Sequence, residues 1–198
     1  MTGMFDPIEL DVSLDVYGGS YAHTVHAFLW SRNPSTGIAY ALMQLKSTGR
    51  FGFPGGRTEQ SPVDGQVVIE TLYREVWEEM HYQLADGQIT IADHLCSHVV
   101  HSKHGKCYHF FAKQLAYEDF LVAETSYTSA ESFPDELVGV IRVPLGRTDD
   151  DRCKEVRLFF DGFVEQYFSG NTRNQLLVSL RKLKVMSDED LNINFNFT

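Results

Sequence analysis

The chain has 198 residues, is 43% hydrophobic and carries a formal net charge of −10. Its length and composition are typical of one packed domain rather than a disordered chain. The net negative charge excludes electrostatic binding of nucleic acid over a broad surface, because such binding needs a basic surface. Any RNA contact would have to be local.

We expect one domain over residues 1–198, with loosely ordered termini at about 1–20 and 187–198. The first residues lack a positive start followed by an apolar core, and no apolar run approaches a membrane span, so we expect no membrane partner. The three cysteines, Cys96, Cys107 and Cys153, form no CxxC pair, which favours reduced thiols. These features predict a protein of the nucleus or the cytoplasm.

Two apolar segments in the first quarter of the chain predict a β-hairpin. Residues 23–30 and 38–45 are short, apolar and partly β-branched or aromatic. Between them lie Asn33, Pro34 and Gly37, which are typical turn residues.

The segment that follows GFPGG at 52–56 predicts an amphipathic helix over 65–80. On a helical wheel its apolar positions share one face: Ile69, Leu72, Tyr73, Val76 and Met80. The opposite face is acidic and carries Glu75, Glu78 and Glu79. We expect the apolar face to pack on a sheet and the acidic face to point into a cleft or into solvent.

The rest of the chain predicts a mixture of strands and helices. Strands are expected at 88–95, 106–115 and 137–145, the last ended by Pro144, and a short helix is expected at 117–125. Residues 156–168 and 172–186 show the helical spacing of apolar side chains. Mixed strands with most helices late in the chain favour a sheet packed between helices.

The acidic helix face and the glycines together suggest a site. Three carboxylates on one face offer hard oxygen ligands to a small volume, which suits Mg²⁺ or Mn²⁺. Their repulsion, about 0.2–0.5 kcal/mol per exposed pair, also favours a compensating cation. Taken alone, the helix is more often a solvated acidic face. Gly55 and Gly56 favour the site, because glycine lets the backbone approach a phosphate or a metal closely.

GFPGG followed by REVWEEMHY resembles the Nudix box, whose pattern is Gly, five residues, Glu, seven residues and then Arg-Glu-apolar-any-Glu-Glu-any-Gly-apolar. The matching positions are Arg74, Glu75, Val76, Glu78 and Glu79. Three features depart from the box: Gln66 replaces Glu, the loop after Gly56 is longer, and His81 replaces the final Gly. Gln66 should pair with Arg74 more weakly than the glutamate of the box would. His81 should tolerate a left-handed helix end better than a branched residue would.

The resemblance extends through HTVHAFLW, CSHVVHS and ELVGVIRVPL to the Nudix branch that includes the small nucleolar RNA decapping enzyme, also an inosine diphosphatase. It implies an α/β fold, an α/β/α sandwich with a mixed central sheet. It also implies hydrolysis of a nucleoside diphosphate or of capped RNA, with Mg²⁺ or Mn²⁺ as cofactor, by a homodimer.

The resemblance assigns roles to individual positions. The metal ligands it implies are the Gly56 carbonyl and four acids, namely Glu75, Glu78, Glu79 and Glu136. Glu79 or Glu136 would take the proton from water, with Glu75 as a further catalytic acid. The substrate would contact His26, Lys46, Phe53, Arg57 and Gln175. Lys46 stands where the branch has Arg, and Arg57 stands where it has an aromatic residue.

These assignments have alternatives. His26 and Phe53 could be core residues, Gln175 could face solvent, and Glu136 could be an ordinary loop acid. A Nudix-fold scaffold that binds protein or RNA with little activity is one alternative function, as in syndesmos, a related member that has lost box glutamates. A Nudix hydrolase for another substrate, such as ADP-ribose, is another, because loops outside the box set substrate choice.

Overall fold

The computed structural model of the protein describes residues 7–62, 64–145, 159–160 and 162–186. Its strands are β1 (Pro7–Ile8), β2 (Ala22–Arg32), β3 (Ala39–Lys46), β4 (Phe51–Gly52), β5 (Gly55–Arg57), β6 (His94–Val100), β7 (Lys106–Gln114) and β8 (Leu137–Leu145). Its main helices are α1 (Leu10–Tyr17), α2 (Gly65–Met80), α3 (Tyr117–Ser126) and α4 (Thr172–Lys182). None of the helices in the described ranges has the length and hydrophobicity that a bilayer crossing requires.

The strands form one mixed sheet in the order β1–β6–β7–β2–β3–β4, with β5 paired to β2 and β8 paired to β3. Strands β2 and β7 are parallel, from Ala22 opposite Lys106 to Trp30 opposite Gln114. The remaining pairs are antiparallel. The predicted hairpin is confirmed, because β2 and β3 pair with Trp30 opposite Ala41.

A hydrophobic core covers each face of the sheet. On one face the helices α2 and α3 pack against β2 and β3 through Val68, Leu72, Val76 and Phe120, which meet Leu29 and Leu42. On the other face α4 packs against aromatic side chains of the sheet, and this core includes Phe28, Phe53, Phe110, Leu176 and Leu180. Helices therefore lie on both faces, and the predicted α/β/α sandwich is confirmed.

The helix predictions at 65–80 and 117–125 are confirmed by α2 and α3, but the strand predicted at 88–95 is wrong over most of its length. Gly87 turns with a φ of 72°, and Thr90 and Asp93 form a capping box around a 3₁₀ helix at Ile91–Asp93. These side chains bond to nearby backbone N–H groups, which competes with strand pairing. Strand β6 therefore begins only at His94.

Two further comparisons concern the N-terminal stretch and the strand that contains Pro144. Within the N-terminal stretch, Leu10–Tyr17 form α1, Leu10 joins the core beside α2 and Ser13 is buried. The strand predicted at 137–145 is confirmed with the same bounds by β8, which includes Pro144 and ends at Leu145. Among the described strands β8 pairs only with β3, so Pro144 lies on an edge, where the missing N–H is tolerated.

Some expectations fall on residues that the structure does not describe. The helix expected at 156–168 is described only at 159–160 and from 162 onward. Cys153 and the expected loose tail at 187–198 lie outside the described residues. The helix expected at 172–186 is confirmed as far as Lys182.

Candidate metal and nucleotide site

Helix α2 carries the acidic cluster and is capped at both ends. The Asp64 carboxylate accepts from the N–H groups of Gln66 and Val67 at 2.9 and 3.4 Å. At the other end His81 is left-handed, with φ 50° and ψ 33°, and its N–H donates to the Trp77 carbonyl at 2.8 Å. The left-handed helix end is thus confirmed, with His in the place of Gly.

Glu79 is the buried member of the acidic cluster, with 8% of its surface exposed. Its Oε2 accepts from the Gly55 N–H at 2.8 Å, and its Oε1 accepts from Lys46 Nζ. A buried carboxylate needs such partners, because an unpaired charge away from water is costly. The acidic helix, the glycine-rich segment and strand β3 therefore meet at this carboxylate.

Arg74 lies between the other two acids of the cluster. Its Nη2 donates to Glu75 at 2.7 Å, and its Nη1 donates to Glu78 at 2.6 Å. Together with Lys46 on Glu79, it balances much of the negative charge. Repulsion among the glutamates therefore does not by itself require a metal, which corrects that part of the sequence argument.

The support around Arg74 differs from the Nudix box as expected. Gln66 does not reach Arg74, and its amide donates instead to Glu70 at 3.0 Å. Arg74 is held by the Arg57 carbonyl at 3.3 Å and lies 3.9 Å from Glu59, an acid of the longer loop. Glu59 is an acid that the sequence patterns did not single out.

Neither glycine has room for a side chain, because Gly55 lies against the backbone of β2 and Gly56 lies against the Glu75 carboxyl group. Strand β5 pairs with β2, which places Gly55 opposite His26 and Gly56 opposite Val25. Gly55 has a φ of 144°, and a Cβ there would stand 2.1 Å from the Val25 carbonyl oxygen. A Cβ on Gly56 would stand 2.4 Å from the carboxyl group of Glu75. A side chain at Gly55 would push β5 away from β2, and one at Gly56 would push the Glu75 carboxyl group away from β5.

The donor chemistry of the cluster fits Mg²⁺ or Mn²⁺. Burial raises the pKa of Glu75, and the nearby Glu79 and Glu78 carboxylates raise it further while Arg74 opposes them. A divalent cation at the carboxylates would stabilise the charged form of Glu75. Hard carboxylate and carbonyl oxygens are the ligands that both metals prefer.

His26 on β2 and Gln175 on α4, which the resemblance placed in a purine pocket, lie next to each other. Gln175 Nε2 lies 3.4 Å from His26 Nδ1, and Gln175 is almost fully buried. Burial and the charge of Lys46 lower the pKa of His26 to about 4, so the ring is neutral at pH 7. Within the described residues Gln175 Oε1 has no hydrogen-bond partner. An unpartnered buried oxygen is an acceptor available to a ligand.

For three other predicted site residues within the described ranges, the structure gives a position but no side-chain contact with the acidic cluster. Phe53 is 1% exposed and packs against Phe28 and Phe110, with ring centroids 5.5 and 5.0 Å away, which favours its core role. Arg57 is exposed at the end of β5. Glu136 is exposed next to the start of β8, and its carbonyl accepts from the Ser47 N–H at 2.8 Å. Their roles stay predictions.

Gln44 is a buried polar residue that the sequence patterns did not single out, although it interrupts the apolar run IAYALMQL. It is fully buried, and neither polar atom of its amide has a hydrogen-bond partner among the described residues. Strand alternation places it on the same side of β3 as Leu42 and Lys46, the side that faces α2. Because an unpartnered buried amide is costly, Gln44 joins the candidate site residues.

Comparison with known proteins decides the family. The family described as "Nudt16-like: U8 snoRNA-decapping enzyme-like" matches residues 21–186. The chain belongs to this Nudix family.

The Nudt16-like relatives carry two kinds of name. The U8 snoRNA-decapping enzyme of Xenopus laevis is 31% identical over 192 residues, which cover 93% of this chain and 85% of that protein. The Tudor-interacting repair regulator protein of Gallus gallus is 30% identical over 184 residues, and the match spans 88% of this chain but only 54% of that relative.

The structure of a MutT/nudix family protein from Enterococcus faecalis confirms the fold. It matches with a TM-score of 0.58 at 12% identity and covers 89% of this chain and 70% of that one. At this identity the likeness concerns the fold alone.

Proposed function

We propose that this chain is a metal-dependent Nudix hydrolase that cleaves a nucleoside diphosphate, such as inosine or deoxyinosine diphosphate, the 5′ cap of RNA, or both. The observation that carries the proposal is the convergence of Glu75 and Glu79 on the Gly55–Gly56 backbone, opposite His26 in the sheet. The family match and the name of the Xenopus relative support the same class of reaction.

The acids of α2 would hold the metal, with the Gly56 carbonyl and Glu136 as further candidate ligands. When bound, Mg²⁺ or Mn²⁺ neutralises phosphate oxygens and lowers the pKa of a water molecule. Lys46 and Arg74 keep the carboxylates of α2 in fixed positions through their ion pairs. Such preorganisation favours catalysis because the side chains need little rearrangement.

Glu79 is the stronger candidate for the base that accepts a proton from the attacking water, because Gly55 N–H and Lys46 orient its two oxygens. Glu136 is the second candidate, one residue before Leu137, which pairs with Lys46. The water oxygen bonds to phosphorus, its proton goes to the carboxylate, and the bridging oxygen leaves. The products are a nucleoside monophosphate and phosphate, or a cap nucleotide and 5′-monophosphate RNA.

The His26–Gln175 pair supports recognition of a purine that carries an oxygen on its ring. With Gln175 Nε2 donating to His26 Nδ1, the neutral imidazole carries its hydrogen on Nε2. That N–H suits the hypoxanthine oxygen, and Gln175 Oε1 suits the ring N–H of hypoxanthine. Adenine presents the reverse pattern of donor and acceptor, so we expect the site to disfavour it. Exclusion of guanine would depend on its extra amine staying unpaired.

Phosphate release from inosine, deoxyinosine, guanosine and adenosine diphosphates, measured with Mg²⁺ and with Mn²⁺, tests the substrate. We expect faster hydrolysis of the inosine nucleotides than of adenosine diphosphate. Equal rates for all four would remove the inosine assignment. Capped RNA and ADP-ribose belong in the same panel, since a clear preference for either would assign the chain to a different diphosphate.

A protein-binding or RNA-binding scaffold is the second candidate function. The observation that favours it is that Arg74 and Lys46 already form ion pairs with all three glutamates of the cluster, so these acids have counter-charges within the protein itself. A thermal-shift titration with Mn²⁺ separates the two functions. An enzyme should be stabilised by the metal and should turn over a diphosphate, whereas a scaffold should do neither.

We also propose that the chain acts as a homodimer, as its resemblance to the Nudix branch implies. Light scattering of the full chain after size-exclusion chromatography measures this directly. A monomeric mass at micromolar concentration would contradict it.

A further inference from the structure

A second group of potential metal ligands lies where β2 and β7 run side by side. It consists of His23 from β2 and of Cys107 and His109 from β7, and all three are buried. In the parallel register His23 is opposite Cys107, and Val25 is opposite His109. Because strand side chains alternate, Cys107 and His109 point to the same face of the sheet. The donor atoms of the three side chains lie within 4.8 Å of one another.

The outer nitrogen of each imidazole is anchored. His23 Nε2 lies 3.2 Å from the Tyr17 carbonyl oxygen, and since a carbonyl only accepts, the hydrogen of neutral His23 is on Nε2. Its Nδ1 therefore presents a lone pair, which in the metal-free protein accepts a hydrogen bond from His109 Nε2–H at 2.8 Å. On the far side of His109, Nδ1 lies 2.8 Å from Ser97 Oγ. Metal-binding histidines characteristically anchor their outer nitrogen on a carbonyl or another polar group in this way.

The protonation states also suit a metal. Burial lowers the pKa of His109 to about 3, and the neighbouring His23 lowers it further. Burial likewise lowers the pKa of His23, against the effect of the Tyr17 carbonyl. Both rings are therefore neutral, which is the form that binds a metal. Burial raises the pKa of Cys107 to about 11, so the thiol keeps its proton until a cation displaces it.

We propose that His23, Cys107 and His109 form a second metal site, one that binds Zn²⁺ and is chemically distinct from the carboxylate cluster of α2. One sulfur and two imidazole nitrogens are borderline-soft donors that favour zinc over magnesium. Three protein ligands leave one tetrahedral position for water. Tetrahedral bond lengths place two nitrogen ligands about 3.3 Å apart, so the two rings would separate by about 0.5 Å on binding.

Binding is balanced by the loss of one proton. The Cys107 S–H bond breaks, the sulfur bonds to the metal, and the proton goes to solvent. On binding, the hydrogen of neutral His109 moves from Nε2 to Nδ1, where Ser97 Oγ accepts it, which leaves Nε2 free to bind the metal. The site would join β2 to β7 beside α1, because the Tyr17 carbonyl that anchors His23 belongs to that helix.

Titration of the full chain with Co²⁺, a spectroscopic substitute for Zn²⁺, tests the site. A thiolate-to-cobalt charge-transfer band reports bonding to sulfur and is not produced by carboxylates. We expect one equivalent of Co²⁺ to produce this band, Zn²⁺ to abolish it, and Mg²⁺ to leave it unchanged. Cys107→Ser should lose the band. The matched variants Cys96→Ser and Cys153→Ser should keep it, since Cys96 is also a buried free thiol but is not one of the three ligands.

Two further variants separate this site from the acidic cluster. Glu79→Gln should keep the cobalt band, and Ser97→Ala, which removes the anchor of His109, should weaken Zn²⁺ binding by about 10–100-fold. X-ray absorption of the zinc-loaded wild-type chain should show one sulfur and two imidazole nitrogens, and this measurement does not depend on any variant folding. Absence of the band in the wild type, its retention in Cys107→Ser, or a zinc shell without sulfur would overturn the proposal.

Discussion

The carboxyl group of Glu75 lies against Gly56 so closely that a Cβ on the glycine would stand 2.4 Å from it. Gly56→Ala should therefore push Glu75 away from β5. The free energy of unfolding should fall by no more than about 1 kcal/mol, because the displaced carboxyl group is the end of a flexible side chain that can rotate away from the added methyl group. The Mn²⁺ affinity, measured by isothermal titration, should fall by at least about 10-fold.

Gly19→Ala is the matched control for this substitution. A Cβ at Gly19 has no neighbour within 4 Å, so stability and Mn²⁺ affinity should both stay near the wild-type values. If Gly56→Ala left the Mn²⁺ affinity as unchanged as Gly19→Ala should, the close contact between Glu75 and Gly56 would be unimportant for metal binding.

The ion pair between Lys46 and Glu79 predicts opposite effects on stability and on metal affinity. Lys46→Met leaves the Glu79 carboxylate without its cation, so the metal-free protein should lose about 1–3 kcal/mol of stability. Mn²⁺ should then bind more tightly, because no ammonium competes for the carboxylate. Urea unfolding and calorimetric titration measure the two effects.

Lys113→Met provides the comparison, since Lys113 pairs with Asp93 at 3.1 Å and is similarly exposed. Its stability loss should be about 1 kcal/mol or less, and its Mn²⁺ affinity should be unchanged. Weaker Mn²⁺ binding in Lys46→Met would instead show that Lys46 supports the metal site.

Glu79→Gln should lower kcat/KM for the preferred diphosphate by about 10²–10⁴-fold, because it removes the proposed base and one metal ligand. Glu70→Gln, which changes an exposed acid of the same helix, should leave the rate near wild type. Circular dichroism should verify that both variants are folded. A Glu79→Gln variant with most of its activity would contradict the assigned role.

His98 predicts a loss of stability in mild acid. Burial and the charge of Lys182 lower the pKa of His98 from 6.5 to about 4. Between these two pH values the unfolded chain binds a proton that the folded chain does not, so stability falls as pH falls from 6.5 toward 4. Inside that window the free energy of unfolding falls by about 1.4 kcal/mol for each unit by which the pH is lowered. Above pH 6.5 this histidine makes no contribution to the pH dependence. In urea unfolding across this range, His98→Gln should show a shallower dependence, and an unchanged slope would argue against a neutral His98.

The left-handed end of α2 predicts that His81 is a mildly strained residue. His81→Gly should stabilise the protein by at most about 1 kcal/mol, because glycine adopts this conformation freely. The gain is limited by the lost contact with the Trp77 ring, whose centroid is 4.2 Å from that of His81. His81→Val should be destabilising, since a β-branched residue disfavours positive φ. Equal stabilities of the Gly and Val variants would show that the backbone conformation carries no cost.

Local sequence patterns predicted much of the fold. The 3.6-residue period of α2 places Leu72 and Val76 in the core and Glu79 on the opposite, acidic face, and each of these positions follows from spacing within one helix. The same holds for β2 and β3, where apolar runs are separated by clear turn residues. The prediction at 88–95 was wrong because Thr90 and Asp93 bond to local backbone groups. A prediction made from the spacing of apolar residues does not take such side-chain hydrogen bonds into account.

The sequence by itself determined the acidic helix, the glycines and the family, because these are properties of residues that are close together in the chain. Only the tertiary structure decided what the acids contact. Lys46 meets Glu79 across 33 positions, His23 meets His109 across 86, and His26 meets Gln175 across 149. Residues so far apart in the sequence are brought together by the pairing of strands and by the packing of helices on the two faces of the sheet. The spacing of residues within one helix or strand carries no information about strand pairing or helix packing.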